Sequence, residues 1–207
     1  MQAHAFDPFI SLEEYLAFEE NSEVKHEYWN GYVIECSGGT PRHADLIANV
    51  MISFGGKLRG KPCRGSSSEQ RIRVEKNNVS FYPDFVVKCP PEKYSDLDPN
   101  ALTNPVLVVE VLSPTSEKKD RGAKFEQYAL IPELRDYILV SQERILVEHF
   151  TRAEEDAWIL RRYNVREAFL KFPHLEIEVP LDEIYEAMDL PSGLVAVEDD
   201  SRPKTSH

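Results

Sequence analysis

PVLVVEVLSPTSEKKDRGAKFEQYA, residues 105–129, opens as a run of Val and Leu without polar alternation, the pattern of a strand buried on both faces. Glu110 interrupts it. An unpaired carboxylate in such a place costs several kcal/mol, so the residue asks for a cation or for hydrogen-bond donors opposite it. The second half of the stretch reads as a helix from about Ser116 to Leu130, stopped by Pro132. Its Asp120, Lys124 and Tyr128 fall at i, i+4 and i+8 on one face. Two readings of Lys124 are open: an ordinary Asp-before-Lys pair worth ~0.2–0.5 kcal/mol, or an amine aimed from a packed helix at Glu110. Ser113, between strand and helix, reads as a cap of the turn.

Upstream, VSFYPDFVVK (79–88) alternates as a strand and carries a second carboxylate, Asp84, directly after Pro83. Proline lacks an N–H and suits a bulge or strand edge, where the next side chain is re-aimed. If this strand neighbours the Glu110 strand, the two carboxylates share a face and form an oxygen-rich site for a hard cation. Mg²⁺, with Mn²⁺ as its substitute, takes one or two carboxylates and keeps several waters. Taken alone, each residue has a plainer alternative, a strand-end charge paired with an Arg or a backbone amide.

Further out, SLEEYLAF begins with a capping box, Ser11 and Glu14, and predicts a helix. KHEYWNGYVIEC reads as two short strands around an Asn30-Gly31 turn. Apolar residues between Leu46 and Leu58 recur at helical spacing. RIRV is a strand, with Asn77-Asn78 as the turn after it, and residues 89–104 are a proline-containing polar loop. RDYILVS, RILVEHF and AWILRRY predict an antiparallel meander with Gln142-Glu143 at one turn. LEIEV is a last strand and LDEIYEAM a closing helix. This order predicts a mixed α/β layer fold, one domain over residues 1–190, with a disordered tail over 191–207 where apolar patterning ends.

The chain has 207 residues, of which 42% are hydrophobic and 29% charged, the balance of a soluble globular protein. No apolar stretch approaches the ~20 residues of a membrane span, and the first residues lack the basic and apolar regions of a secretory leader. Cys36, Cys63 and Cys89 show no metal or redox spacing, which predicts reduced thiols and a cytoplasmic protein. The net charge of −12 argues against non-specific coating of nucleic acid. Residues 42–76 are the exception, with eight basic and three acidic side chains. That segment is either a solvated face or a strip for a polyanion.

PDFVV followed by LVVEVLSPTSEKKDRGAKFEQY resembles the Uma2 (DUF820) family of endonucleases, of the PD-(D/E)xK superfamily, and the likeness extends from about Ser11 to Tyr185. The resemblance implies a restriction-endonuclease-like core, a central mixed β-sheet flanked by helices, here with the meander added. It implies that Asp84 and Glu110 hold Mg²⁺ or Mn²⁺ and that DNA is the substrate. The superfamily's lysine, expected two residues after the Glu, is Leu112 in this chain. The resemblance moves that role to Lys124. Glu27 and His43 also match family positions: Glu27 either completes the cation shell or is a surface carboxylate, and His43 either contacts phosphate or caps a helix. Arg64, Arg71 and Arg73, with Lys57, Arg59 and Lys61, then flank the cleft, and a homodimer is the expected assembly. The rival reading is a non-catalytic nucleic-acid- or protein-binding module on the same fold.

Overall fold

In the computed structural model, which describes residues 9–36, 38–114, 116–154 and 157–192, helix α1 (Leu12–Glu20) comes first. Ser11 and Glu14 close the reciprocal box over its first turn. Strands β1 (His26–Trp29) and β2 (Tyr32–Glu35) form a hairpin. Its turn holds Asn30 at φ 44° and Gly31 at φ 103°, left-handed positions that Asn and Gly tolerate. Helix α2 (Pro41–Leu58) is capped by Thr40, whose hydroxyl accepts the His43 amide at 3.2 Å.

The next strands are β3 (Arg64–Ser67), β4 (Arg71–Val74), β5 (Val79–Phe81), β6 (Phe85–Lys88), the short β7 (Ala101–Leu102) and β8 (Leu107–Leu112). A helical segment follows in three parts: α3 (Glu117–Lys119), a π turn (Asp120–Lys124) and α4 (Phe125–Tyr128). The expected meander is present as β9 (Asp136–Ser141), β10 (Val147–Arg152) and β11 (Trp158–Tyr163). A hairpin of β12 (Phe169–Phe172) and β13 (Ile177–Pro180) leads into α5 (Leu181–Ile184).

Two mixed sheets organise these elements. One has the order β11-β10-β9-β8-β6-β3 and the other β2-β1-β5-β4-β7. The parallel pairs are β8 with β9 and β4 with β7. All six residues of β8 are buried, as its sequence demands. Its alternate side chains enter different cores. Val109 and Val111 pack with α2 residues Leu46, Val50 and Phe54 and with the β12–β13 hairpin. Val108 and Leu112 pack with Ile72, Val79 and Phe81 of the second sheet and with Tyr128. With a period of two, Glu110 shares the face of Val108 and Leu112, so it lies at the junction of the two sheets and the helical segment.

Several expectations change. VSFYPDFVVK is two strands in different sheets, and Tyr82-Pro83-Asp84 is the crossing between them. The predicted 116–130 helix contains the π turn, and the closing helix is short. FLKF, not read as a strand, forms β12. Two of the three cysteines are not thiols: Cys63 and Cys89 are disulfide-bonded with Cα atoms 4.2 Å apart. The β3–β6 register explains it, because pairing Arg64 with Lys88 sets the residue before one strand against the residue after the other. No described helix is long and apolar enough to cross a membrane. Of the predicted tail, residues 193–207 lie outside the described residues.

Phe54 anchors α2, with ring centroids 5.5 Å from Phe85 and 5.4 Å from Phe172. Phe54→Ala leaves a cavity under the helix that carries His43 and should lower unfolding free energy by about 3–5 kcal/mol. Urea denaturation checks this; a loss under ~1 kcal/mol contradicts the packing described.

Candidate active site

Four charged side chains are buried at the sheet junction: Glu27, Glu110, Asp120 and Lys124 are 5%, 4%, 2% and 7% exposed. They come from three segments distant in sequence. Glu27 lies on β1, Glu110 in the middle of β8, and Asp120 and Lys124 bound the π turn. The Lys124 ammonium lies 2.8 Å from Glu27 Oε1, 3.1 Å from Glu110 Oε1 and 3.4 Å from Asp120 Oδ1. Tyr128, one turn further on, donates its hydroxyl to Glu110 Oε1 at 3.2 Å. The i, i+4, i+8 face is therefore real, and the reading of Lys124 as a mere surface pair is excluded by its burial.

The π turn has its own anchor. Tyr137 of β9 donates its hydroxyl to the Asp120 carbonyl at 2.9 Å, inside the core. A π turn inserted in a helix shifts the residues that follow, and such turns concentrate at functional sites. Neither Tyr137 nor the π turn was legible in the sequence, since Tyr137 reads as one more aromatic in a strand.

Asp84 reaches the cluster from the sheet crossing. The β6–β8 register sets Phe85 against Val109, which brings Asp84 beside Glu110, and Asp84 Oδ2 accepts the Val111 amide at 2.7 Å. His43, on the first turn of α2, does not cap that helix. Its Nε2 donates to the Val111 carbonyl at 3.0 Å and lies 3.5 Å from Asp84 Oδ2. Glu27 is neither a surface group nor an open ligand: Oε1 meets Lys124, while Oε2 accepts from Lys119 and from Trp29 Nε1. The structure thus brings together all five candidate residues: Glu27, His43, Asp84, Glu110 and Lys124. Ser113 caps its turn, accepting the Ser116 amide at 3.1 Å.

The electrostatics follow from burial. Burial pushes the Glu110 carboxyl well above its usual range; Lys124 opposes this, while Asp120, Asp84 and Glu27 add to it. Burial disfavours the Lys124 ammonium too, but Glu110 and Glu27 more than compensate and hold its pKa well above normal. For Glu27, burial is outweighed by the Lys124 and Lys119 ammoniums, and its pKa falls to about 2. The hydrogen bond with Asp84 raises the His43 pKa against burial.

These oxygens suit a hard cation. The Asp84 carboxylate and the Val111 carbonyl both face Nε2 of His43, at 3.5 and 3.0 Å. Burial first, and then the neighbouring carboxylates, favour a protonated Glu110, against the pull of Lys124. No group of three or more His, Cys, Asp or Glu side chains is arranged to hold a metal among the described residues. An ion held here would rest on the Asp84 and Glu110 carboxylates alone and would have to keep several waters.

The basic segment does not flank this site. Arg71 is locked by Asp98, with Nε to Oδ2 at 2.6 Å and Nη2 to Oδ1 at 2.7 Å, and donates from Nη1 to Tyr82 at 2.7 Å. Arg73 is 3% exposed and bonds Ser80 and Asn78. Lys57, Lys61 and Arg64 pair with Glu183, Glu176 and Glu92. Lys57 also lies some four turns along α2 from His43, roughly 20 Å at 1.5 Å per residue. A depression of about 500 Å³ near Arg71, lined also by Glu19, Lys25 and Tyr82, is built from charges that pair with one another.

Linkage makes the Glu27 assignment testable. Its folded pKa lies below the unfolded value, so its contribution is complete above about pH 4.3 and drains as pH falls toward 2. Glu27→Gln should be less stable than wild type by about 3 kcal/mol at pH 6, with the gap narrowing as pH drops below about 4. Chemical denaturation at a series of pH values measures this, and a pH-independent gap contradicts the ion pairs described.

Residues 12–182 match the Uma2 family, described as "Putative restriction endonuclease". The chain is 32% identical over 181 residues to the uncharacterized protein slr1290 of Synechocystis sp. (strain ATCC 27184 / PCC 6803 / Kazusa), covering 87% of this chain and 94% of that protein. To the uncharacterized protein sll1609 of the same organism it is 29% identical over 177 residues, 86% of this chain and all of the other. Among solved structures it resembles one titled a putative nuclease belonging to DUF820 from Anabaena variabilis ATCC 29413, with a TM-score of 0.68 over 85% of this chain and 97% of that one. The identity there is 16%, so that likeness speaks to the fold. With a family match across most of its length and relatives aligned nearly end to end, this chain belongs to the Uma2 family.

Proposed function

We propose that the protein is a Mg²⁺-dependent phosphodiesterase acting on DNA, an endonuclease that hydrolyses the bond with an activated water. The observation that carries this reading is the Lys124 ammonium, buried in contact with Glu110 beside the strand crossing that presents Asp84. Stability gives only a weak reason for a lysine buried among three carboxylates, since an apolar replacement of similar volume often does as well. Family membership supports the reading, because the family is described by nuclease activity.

Asp84 and Glu110 are the residues that would hold the ion, which when bound supplies Lewis acidity toward the phosphoryl oxygens and acidifies a water. The chain's own groups supply the rest. Lys124, fixed from three sides, offers a preorganised positive charge to a phosphoryl group gaining negative charge, without reorganising as the reaction proceeds. Tyr128 fixes the rotamer of Glu110. His43 keeps a proton at Nε2 over the Asp84 and Val111 oxygens, at the less deeply buried side of the cluster. With the 57–73 segment tied up elsewhere, contacts to the DNA backbone fall to exposed cations next to site residues, Arg42 and Lys118.

Nicking of supercoiled plasmid tests this. Wild type should nick with Mg²⁺ or Mn²⁺ and stop with EDTA, and Asp84→Asn should lose about 2.7–4 kcal/mol of barrier lowering, or 10²–10³-fold. Asp84→Asn is preferred to Lys124→Ala, which strands buried carboxylates and should cost about 3–5 kcal/mol of stability. Wild type that binds DNA but cleaves no form of it with either metal overturns the reading in favour of a binding module. Arg42→Ala with Lys118→Ala should flatten the salt slope of binding by up to ~2, while Lys57→Ala with Arg59→Ala should leave it unchanged.

A further inference from the structure

Beside the charge cluster lies an open depression of about 450 Å³, whose walls include Trp29, Asn30, Lys76, Asn77, Asn78 and Gln127. It touches the site through Trp29. The indole Nε1 donates to Glu27 Oε2 at 3.2 Å, and the Lys119 ammonium sits 4.8 Å from the ring centre. Gln127 follows Lys124 by three residues on the same helical segment.

The walls are mostly polar but carry little charge: four side-chain amides, one aromatic ring, one lysine and Val79. Asn78 is committed to structure, donating to Asn30 Oδ1 at 3.1 Å and accepting from Arg73. Asn77 and Gln127 are joined by one bond, Asn77 Nδ2 to Gln127 Oε1 at 2.7 Å. That leaves Asn77 Oδ1 as an acceptor and Gln127 Nε2 as a donor without another protein partner among the described residues. A neutral acceptor–donor pair next to an aromatic wall matches the edge of a planar heterocycle. It suits neither an anion, which would draw more than one cation, nor an acyl chain, which would draw apolar walls.

We propose that this depression takes an unpaired nucleobase of the DNA strand whose phosphate lies at the Glu110–Lys124 cluster, an inference that rests on the nuclease reading above. Bases are read in this way, by amide edges and aromatic walls, once they are out of the duplex stack. The preferred substrate is then a single strand or a duplex distorted at the cleaved bond.

The test is fluorescence anisotropy with labelled oligodeoxynucleotides, Ca²⁺ replacing Mg²⁺. Wild type is compared with the Asn77→Ala/Gln127→Ala double variant, whose melting temperature is checked against wild type. The probes are a single strand, the perfect duplex, and a strand of equal length with abasic residues at its centre. Wild type should bind the strand at least ten-fold tighter than the abasic strand, and the double variant should bind both alike. A variant that keeps the wild-type preference, or a wild type without one, overturns the inference. If wild type nicks plasmid yet shows no base-dependent binding, the pocket fails and the nuclease reading stands; if it neither binds nor nicks any DNA, both fail.

Discussion

The Lys124 ammonium, 2.8 Å from Glu27 and 3.1 Å from Glu110 in a buried sheet junction, is the interaction on which this architecture turns. Neither sheet could close over the other with Glu27 or Glu110 unpaired, because a stranded buried carboxylate costs several kcal/mol. One cation answers for both. Lys119 shares Glu27, Tyr128 shares Glu110, and Asp120 backs Lys124 from its own helix, so the pairs form one connected network.

The geometry depends on two local irregularities. At Tyr82-Pro83-Asp84 the chain leaves one sheet for the other, and a proline there gives up no ladder hydrogen bond. Asp84 is thereby set at the end of β6, against the amide of Val111, instead of within a strand. In the helical segment the π turn sets Asp120 and Lys124 at its two ends, with Tyr137 bonded to the carbonyl at its start. Both features lie where regular structure would have turned a side chain elsewhere.

Much of this was legible from local pattern. Glu110 stands out because nothing else in 105–112 is polar, and Lys124 and Tyr128 because they repeat at helical spacing after Asp120. The buried strand, the Asn30-Gly31 hairpin and the capping box were likewise local. What failed was everything set by partners distant in sequence. Arg71 looked like part of a basic strip because Asp98, its partner, lies within the proline-containing loop 27 residues on; Lys57 and Lys61 looked free because Glu183 and Glu176 arrive near the end of the fold. Cys63 and Cys89 gave no signal in their spacing, since only the β3–β6 register sets them side by side. Glu27 could be read as a surface carboxylate because its burial depends on Lys119 and Lys124, more than ninety residues on.

The proposed function needs Asp84 and Glu110, with Lys124 behind them, to hold a divalent ion. Anomalous diffraction from a crystal soaked in Mn²⁺ tests it most directly. The account predicts a peak within bonding distance, about 2.1–2.3 Å, of a carboxylate oxygen of each residue, with His43 displaced from Asp84 or rotated away. Peaks confined to other acidic surfaces, with His43 still on Asp84 and the Val111 carbonyl, would contradict it.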